Sequence, residues 1–385
     1  MAEFARFFLD TQIAAVAGLR RQIDALVAAA EAVALKLIDG GEIYIASVRP
    51  DFTSEGFIRS GGLMMLKEYR TERVLTASDV VLVGWTDTEA VQTEPLVDRF
   101  KAMGACVVGM GTPIGALAEK VDFFLDSRVD LKESAARPFG FESYPFVSLQ
   151  NLVVLWAFTG ELVSALTRKG RMPAMFQSVL VPGARQRNAG IGSTRFHAAH
   201  TVPPLPCTTL ANSFLEAIEA CLCRIREGEL DAIGAVARAC GDGLRAGRQI
   251  HAFLISHFPV HQAGAPGDPR VMHPLSVIKG ETPDESELIG KLRPGDLFFF
   301  LGYYRRPARA YEIARARNCQ IIEVITGTDA EVLDGPEPDF VIHPGWHYTD
   351  SLVPVPGYDV RILPASGILQ AAVYWAVVGE IGAVS

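Results

Sequence analysis

The sequence predicts an α/β protein of two doubly wound, parallel-sheet domains in tandem, each a three-layer arrangement of flavodoxin type. Three observations carry this. Short, continuously apolar runs alternate with helix-length segments, the pattern of a parallel sheet covered on both faces. The same runs recur in the same order over residues 31–166 and 235–385. The chain has 385 residues, which at about 100–200 residues per domain is two domains.

The elements pair off along the chain. Each unit opens with a helix that ends at glycine and leads into a short strand, Leu37-Ile-Asp-Gly-Gly-Glu-Ile-Tyr-Ile45 in the first and Leu244 to Ile255 in the second. A second strand follows an aspartate, Asp79-Val-Val-Leu-Val-Gly84 against Asp296-Leu-Phe-Phe-Phe-Leu-Gly302. A helix then leads to a third strand at Cys106 and Gln320, and a fourth again follows aspartate, at Asp122 and Asp339. Both units close on an apolar helix bearing Trp-Ala-x-x-Gly-Glu, at Trp156–Glu161 and Trp375–Glu380. The offset is 207 at Ile43/Ile250, 217 at Asp122/Asp339 and 219 at Trp156/Trp375, the drift that loop insertions produce. Five elements in order point to duplication. Residues 1–38 read as one long amphipathic helix, and 209–240 as its counterpart, with Thr208 or Thr209 as cap. Expected boundaries are 1–169 for the first domain, 170–207 for a connector draped over the surface, and 208–385 for the second. The tryptophans read as core. Glu161 and Glu380 read as capping or pairing groups at the ends of their helices, and the four aspartates as turn residues. Arg185, Arg187 and Arg195 read as a solvated basic face.

Composition narrows the function. Acidic residues outnumber basic ones 44 to 36, a net charge of −8, so nucleic acid is not the expected partner. Mean hydropathy is +0.21, yet polar groups interrupt every long apolar window. These read as buried helices, so no membrane partner is expected. No secretory leader is read at the N-terminus. The six cysteines form no CxxC pair or dense framework and read as free thiols, consistent with a cytoplasmic setting. No Walker motif and no G-x-G-x-x-G after a strand indicates a nucleotide.

Glu55-Gly-Phe-Ile-Arg59-Ser-Gly61-Gly62 resembles the Glu-x-x-x-Arg-(Ala/Ser)-Gly-Gly segment of one branch of the sugar isomerase (SIS) domain family. Asp79 to Glu89 resembles that family's second strand and Ser-Gly-x-Thr-x-Glu loop, and Lys101 to Val108 its helix-to-strand step. The resemblance implies a divergent tandem member, five-stranded parallel sheets, a sugar or sugar-phosphate-like anion as ligand, and homo-oligomerisation. The loops depart from the pattern. The first offers only Ser47 and Arg49, the second keeps Thr86 and Thr88 around Asp87, and unit two has Tyr303, Tyr304 and Arg305 there.

Ligands of open parallel sheets lie beyond the carboxyl ends of the strands. Glu55 is the candidate general base, with Arg59 one helical turn on to hold it ionised or to bind the ligand. The alternative is an i,i+4 surface ion pair. In unit two, His257, His261, His273, His343 and His347 follow strand ends. Of these, His257, His343 and His347 are the candidate acids or proton relays. Ser47, Arg49, Arg59, Thr86, Asp87, Thr88, Tyr303, Tyr304 and Arg305 are the candidate substrate contacts. No cofactor is expected. A metal is conceivable through His257, His261, His343 and His347, although their spacing falls in loops, so the helix-face argument for paired ligands does not transfer. The leading expectation is aldose–ketose isomerisation at a site completed by both units. The alternatives are a non-catalytic carbohydrate-binding or regulatory protein, and metal-assisted chemistry at the histidines.

Overall fold

The computed structural model describes residues 2–130, 142–198, 202–255, 258–278, 282–303, 305–326, 335–346 and 350–384. His257, Tyr304 and His347 lie outside them. Sheet one comprises β1 (Ile43–Ser47), β2 (Leu66–Glu68), β3 (Val80–Gly84), β4 (Cys106–Gly111) and β5 (Phe123–Asp126), ordered β2-β1-β3-β4-β5. Sheet two comprises β6 (Ile250–Leu254), β7 (Met272–Pro274), β10 (Leu297–Leu301), β11 (Gln320–Val324) and β12 (Phe340–Ile342), ordered β7-β6-β10-β11-β12. The order is the same, every pairing is parallel, and the registers coincide: Ile43 faces Val80 as Ile250 faces Leu297, and Tyr44 faces Lys67 as His251 faces His273. The two short hairpins are β8/β9 (Val277–Ile278 and Thr282–Pro283) and β13/β14 (Ser351–Val353 and Ile362–Pro364).

The strand-leading aspartates do more than turn the chain. Asp79 accepts from the Glu42 amide at 2.9 Å and the Thr76 amide at 2.8 Å. Asp296 accepts from the matching amides of Gln249 and Arg293 at 2.9 and 2.8 Å. Asp122 and Asp339 take the amides of Val107 and Ile321. Each carboxylate thus satisfies amides where strands begin.

The N-terminal helix is broken. It forms α1 (Glu3–Arg20) and α2 (Ile23–Ile38), and the counterpart forms α8 (Thr209–Gly228) and α9 (Leu230–Arg245). The break lets each lead-in serve both units. The second half packs on its own closing helix: α2 on α6 (Tyr144–Arg168), α9 on α12 (Ser366–Val384). The first half crosses over, α1 to α12 and α8 to α6. The repeated Gly-Glu receives it. Added to Gly379, a Cβ would lie 1.9 Å from the Phe4 ring, and at Gly160 it would lie 3.3 Å from the Leu210 backbone. Glu380 then accepts from the Ala5 amide at 3.1 Å, and Glu161 from the Thr208 amide at 2.8 Å. The glutamates therefore cap the opposite unit's helix, Glu161 also lying 3.4 Å from Arg168 at the end of its own, and the Thr208 hydroxyl makes no cap.

The core lies where α6 and α12 meet. Trp156 and Trp375 are buried there. Helix α6 is long and apolar enough to cross a membrane, but it is wholly buried in this fold. The remaining helices named here are α3 (Pro50–Gly56), α4 (Ala90–Ala102), α5 (Leu117–Lys120), α7 (Ala184–Ile191) in the connector, α10 (Glu285–Lys291) and α11 (Ala308–Ala316).

Candidate functional site

Helix α3 starts at Pro50, whose missing amide suits the first turn. It carries Glu55 into the interior, where the carboxyl group is fully buried. Arg59 follows on the next turn of chain, 4% exposed, and its Nε donates to Glu55 Oε1 at 3.1 Å. The surface ion-pair alternative is therefore excluded.

Unit two supplies the rest of the Arg59 environment. Nη1 donates to the Tyr303 hydroxyl at 3.2 Å. Nη2 donates to Ser366 Oγ and lies 3.2 Å from Asp350 Oδ2. Asp350 also accepts from the Ser366 amide at 2.9 Å, so it caps α12. Gly367 packs directly on the Glu55 carboxyl, since a Cβ there would sit 2.3 Å from Oε1. A guanidinium has five N–H donors, so these contacts leave one Nη1 donor.

This cluster borders a cavity of about 430 Å³. Arg59, Ser60, Tyr303 and Asp350 form one side, and connector residues including Ser178 and Arg185 form the other. The connector is held in place by pairing Phe176 with Gly61 and Gly62 and by the Asn188 side chain, which bonds both the amide and the carbonyl of Gln177. Ser60 Oγ is buried with no hydrogen-bond partner among the described residues. Arg185 is exposed and makes no ion pair with them, whereas Arg187 grips Asp359 and Arg195 bonds backbone carbonyls of Leu37 and Gly41. The connector arginines are thus not one solvated face.

Ser47, Arg49, Thr86, Asp87 and Thr88 gather at the β1/β3 switch point, where their side chains bond to neighbouring groups of the fold. Ser47 Oγ lies 2.7 Å from Thr53 Oγ1. Thr86 Oγ1 lies 2.9 Å from the Thr88 hydroxyl and donates to Glu89 at 2.9 Å. Asp87 accepts from Ser143, and Arg49 Nε donates to the Tyr144 hydroxyl at 3.1 Å. Tyr144 in turn donates to Asp51, which also receives Gln262 at 3.2 Å. Phe52 and Trp85 fill the cleft, leaving about 10 Å³. Gly84 is required here, because a Cβ would meet the Phe52 ring at 2.5 Å.

Unit two's histidines do not join the Glu55 cluster in the described structure. His343 is exposed, its amide donating to Glu229 at 3.1 Å, and it does not line the cavity. His261 is half-buried in the 3₁₀ turn Pro259–His261. Arg305 is exposed. Among the described residues, no three His, Cys, Asp or Glu side chains gather as metal ligands.

Sequence reasoning missed Asp350, Ser366, Gly367 and the connector wall. The one available signal was Gln262, at the Glu55 offset: Gln262 reaches across to unit one, accepting from Trp375 at 2.7 Å and donating to Asp51. Glu55 likewise meets unit two, at Gly367.

Burial pushes the Glu55 carboxyl up to about 7, with Arg59 opposing the rise. Glu89 is also pushed up to about 7, by burial and then by Asp51. A carboxyl whose folded value exceeds its unfolded one binds more protons when folded, so stability falls as pH rises through that interval. From about pH 4.5 to 7, each group should remove about 1–3 kcal/mol of stability. Urea unfolding at pH 5 and pH 8 checks this. Glu89→Gln should flatten the decline, and an unchanged slope would refute the assignment.

No protein-family model matches the chain, and no curated protein matches it. Solved structures do. The C-terminal domain of glucosamine-fructose-6-phosphate aminotransferase from Francisella tularensis is similar with a TM-score of 0.57 at 11% identity, over 99% of this chain and 96% of that one. A candidate phosphosugar isomerase from Clostridium difficile 630 gives 0.51 at 11%, over 98% and 91%. A candidate sugar-binding protein from Salmonella typhimurium LT2 gives 0.51 at 11%, over 99% and 98%. At this identity the likeness defines the fold. The chain has the tandem, two-sheet SIS-type fold that its sequence resembles.

Proposed function

We propose that the protein binds a sugar-derived anion, phosphorylated or carboxylated, in the cavity between the Arg59 cluster and the connector. One observation carries the reading: a cavity lined both by Arg59, fixed by both units, and by Arg185, which has no ion-pair partner among the described residues. The unpartnered Ser60 hydroxyl and the spare Nη1 donor suit a hydroxylated ligand. The fold's relatives are consistent with this, one being described as sugar-binding and another as a phosphosugar isomerase.

The test is calorimetry with sugar phosphates and sugar acids. Arg185→Ala should weaken binding about tenfold or more, the value of a charge-assisted contact, and leave the melting temperature unchanged. Absence of binding by every member of both classes would end the reading. Affinity should also fall as pH rises through about 7, because ionised Glu55 competes for Arg59.

Isomerisation is the second reading, favoured by one observation: the Glu55 carboxyl, poised near neutrality, has an unpartnered Oε2. Glu55 does not line the cavity, so Arg59 must shift for the carboxylate to take a proton from a substrate carbon. Solvent deuterium appearing at the carbon next to a substrate carbonyl, and lost in Glu55→Gln, is the expected signature. Binding without exchange leaves the protein a binding module.

A further inference from the structure

The opposite edge of sheet two holds a second cavity, of about 300 Å³, lined by Gln249, His251, His273, Lys291 and Arg293. It lies where the strands begin: His251 is the second residue of β6 and Asp296 directly precedes β10. Tyr303 and the Arg59 cavity lie past the carboxyl end of β10. Among the described residues, no carboxylate lines the pocket. Arg293 is exposed and its guanidinium has no partner among the described residues. Lys291 pairs with Glu287 at 2.5 Å.

Comparison of the repeats shows what is particular here. In unit one the same strand positions hold Tyr44 and Lys67, with the Tyr44 ring packed edge-on to Tyr69 and Arg73 over its face. Unit two replaces both with imidazoles, ring centroids 6.0 Å apart. Asp296 holds the two amides that match those of Asp79, and its third donor is His251 Nε2 at 3.3 Å where Asp79 has the Thr76 hydroxyl. That contact fixes the tautomer. Nδ1 is left buried and without a partner among the described residues. His251 is 2% exposed, and burial holds it below its usual value, with Asp296 opposing and the neighbouring His273 and Lys291 adding to the fall.

We propose that this pocket is a second ligand site, for the phosphate monoester of a small hydroxylated metabolite. Arg293, Lys291 and His273 meet the phosphate, and Gln249 and His251 meet hydroxyl groups. A guanidinium and an ammonium together favour a dianion over a monocarboxylate. The volume exceeds that of a free phosphate and suits a monosaccharide phosphate.

The experiment uses the full chain. Imidazole ¹H–¹⁵N correlations are followed while glucose 6-phosphate, and separately inorganic phosphate, is added at low salt. Saturable shifts of the His251 and His273 signals, assigned through His273→Gln, are expected. Arg293→Ala should weaken the response about tenfold, and Arg185→Ala should not, which separates this site from the Arg59 cavity. Both substituted residues are exposed, so melting temperatures serve as the folding control. A non-saturating drift, equal in wild type and Arg293→Ala, would mean an adventitious ion only and would overturn the proposal. Saturation by inorganic phosphate at equal affinity would overturn the monoester assignment.

Discussion

Arg59→Met lowers the free energy of unfolding by about 3–5 kcal/mol, the cost of breaking a buried pair by removing one partner. The reason is positional. Arg59 is 4% exposed, and the two carboxyl groups around it belong to different units, Glu55 to the first and Asp350 to the second. Without the guanidinium both are left buried without their cation, while Tyr303 and Ser366 lose a donor. Glu55 can respond by staying protonated, because burial already raises its carboxyl to about 7. The deficit should therefore be smaller at pH 5.5 than at pH 8. A second substitution separates charge from shape. Arg59→Met with Glu55→Gln should recover a substantial part of the loss at pH 8, and the two changes should be strongly non-additive. Urea unfolding of the four proteins at both pH values gives the coupling. A single-variant loss under about 1 kcal/mol would mean that the cluster does not tie the units together.

The legibility of this molecule follows the range of its interactions. Strands β3, β4 and β10 are uninterrupted apolar runs, so sequence shows them directly, and the recurrence of the runs shows the doubling. The break in the lead-in helices is not visible in the same way. Residues 3–38 keep helical character throughout, and the turn at Arg21-Gln22 exists because α1 and α2 pack on different units. Glu55 and Arg59 were legible as a pair through their i,i+4 spacing, but not as a buried one. Burial comes from Gly367 and Asp350, about 300 residues further along the chain. Ser47, Thr86 and Thr88 show the opposite case. Their type and position suit a ligand, and in the structure they bond to protein groups instead, Ser47 to Thr53 and Thr86 to Thr88, beside a cleft that Phe52 and Trp85 occupy. A sequence shows which groups can bind; it does not show whether a neighbour has already filled the cleft.

Gly379→Ala tests the crossed helices and should destabilise the protein by about 1–3 kcal/mol, as overpacking a core does. Helix propensity alone predicts the reverse sign, since alanine is favoured over glycine within a helix by about 1 kcal/mol. The sign therefore reports packing. The new methyl group would lie 1.9 Å from Phe4 Cε1. Phe4 is buried and stacked on Phe8, with ring centroids 6.1 Å apart, so it has little room to yield. Any displacement of α1 also stretches the Glu380–Ala5 hydrogen bond that caps it. The equivalent Gly160→Ala should cost less. Its nearest neighbour is the end of the Leu363 side chain at 2.9 Å, and the Leu210 backbone is 3.3 Å away. Phe4→Leu should relieve the clash, so that Gly379→Ala costs less in that background than in wild type, a coupling readable from urea midpoints. A stabilised Gly379→Ala protein would show that α1 does not dock on α12 in solution, and the crossed lead-in arrangement would have to be abandoned.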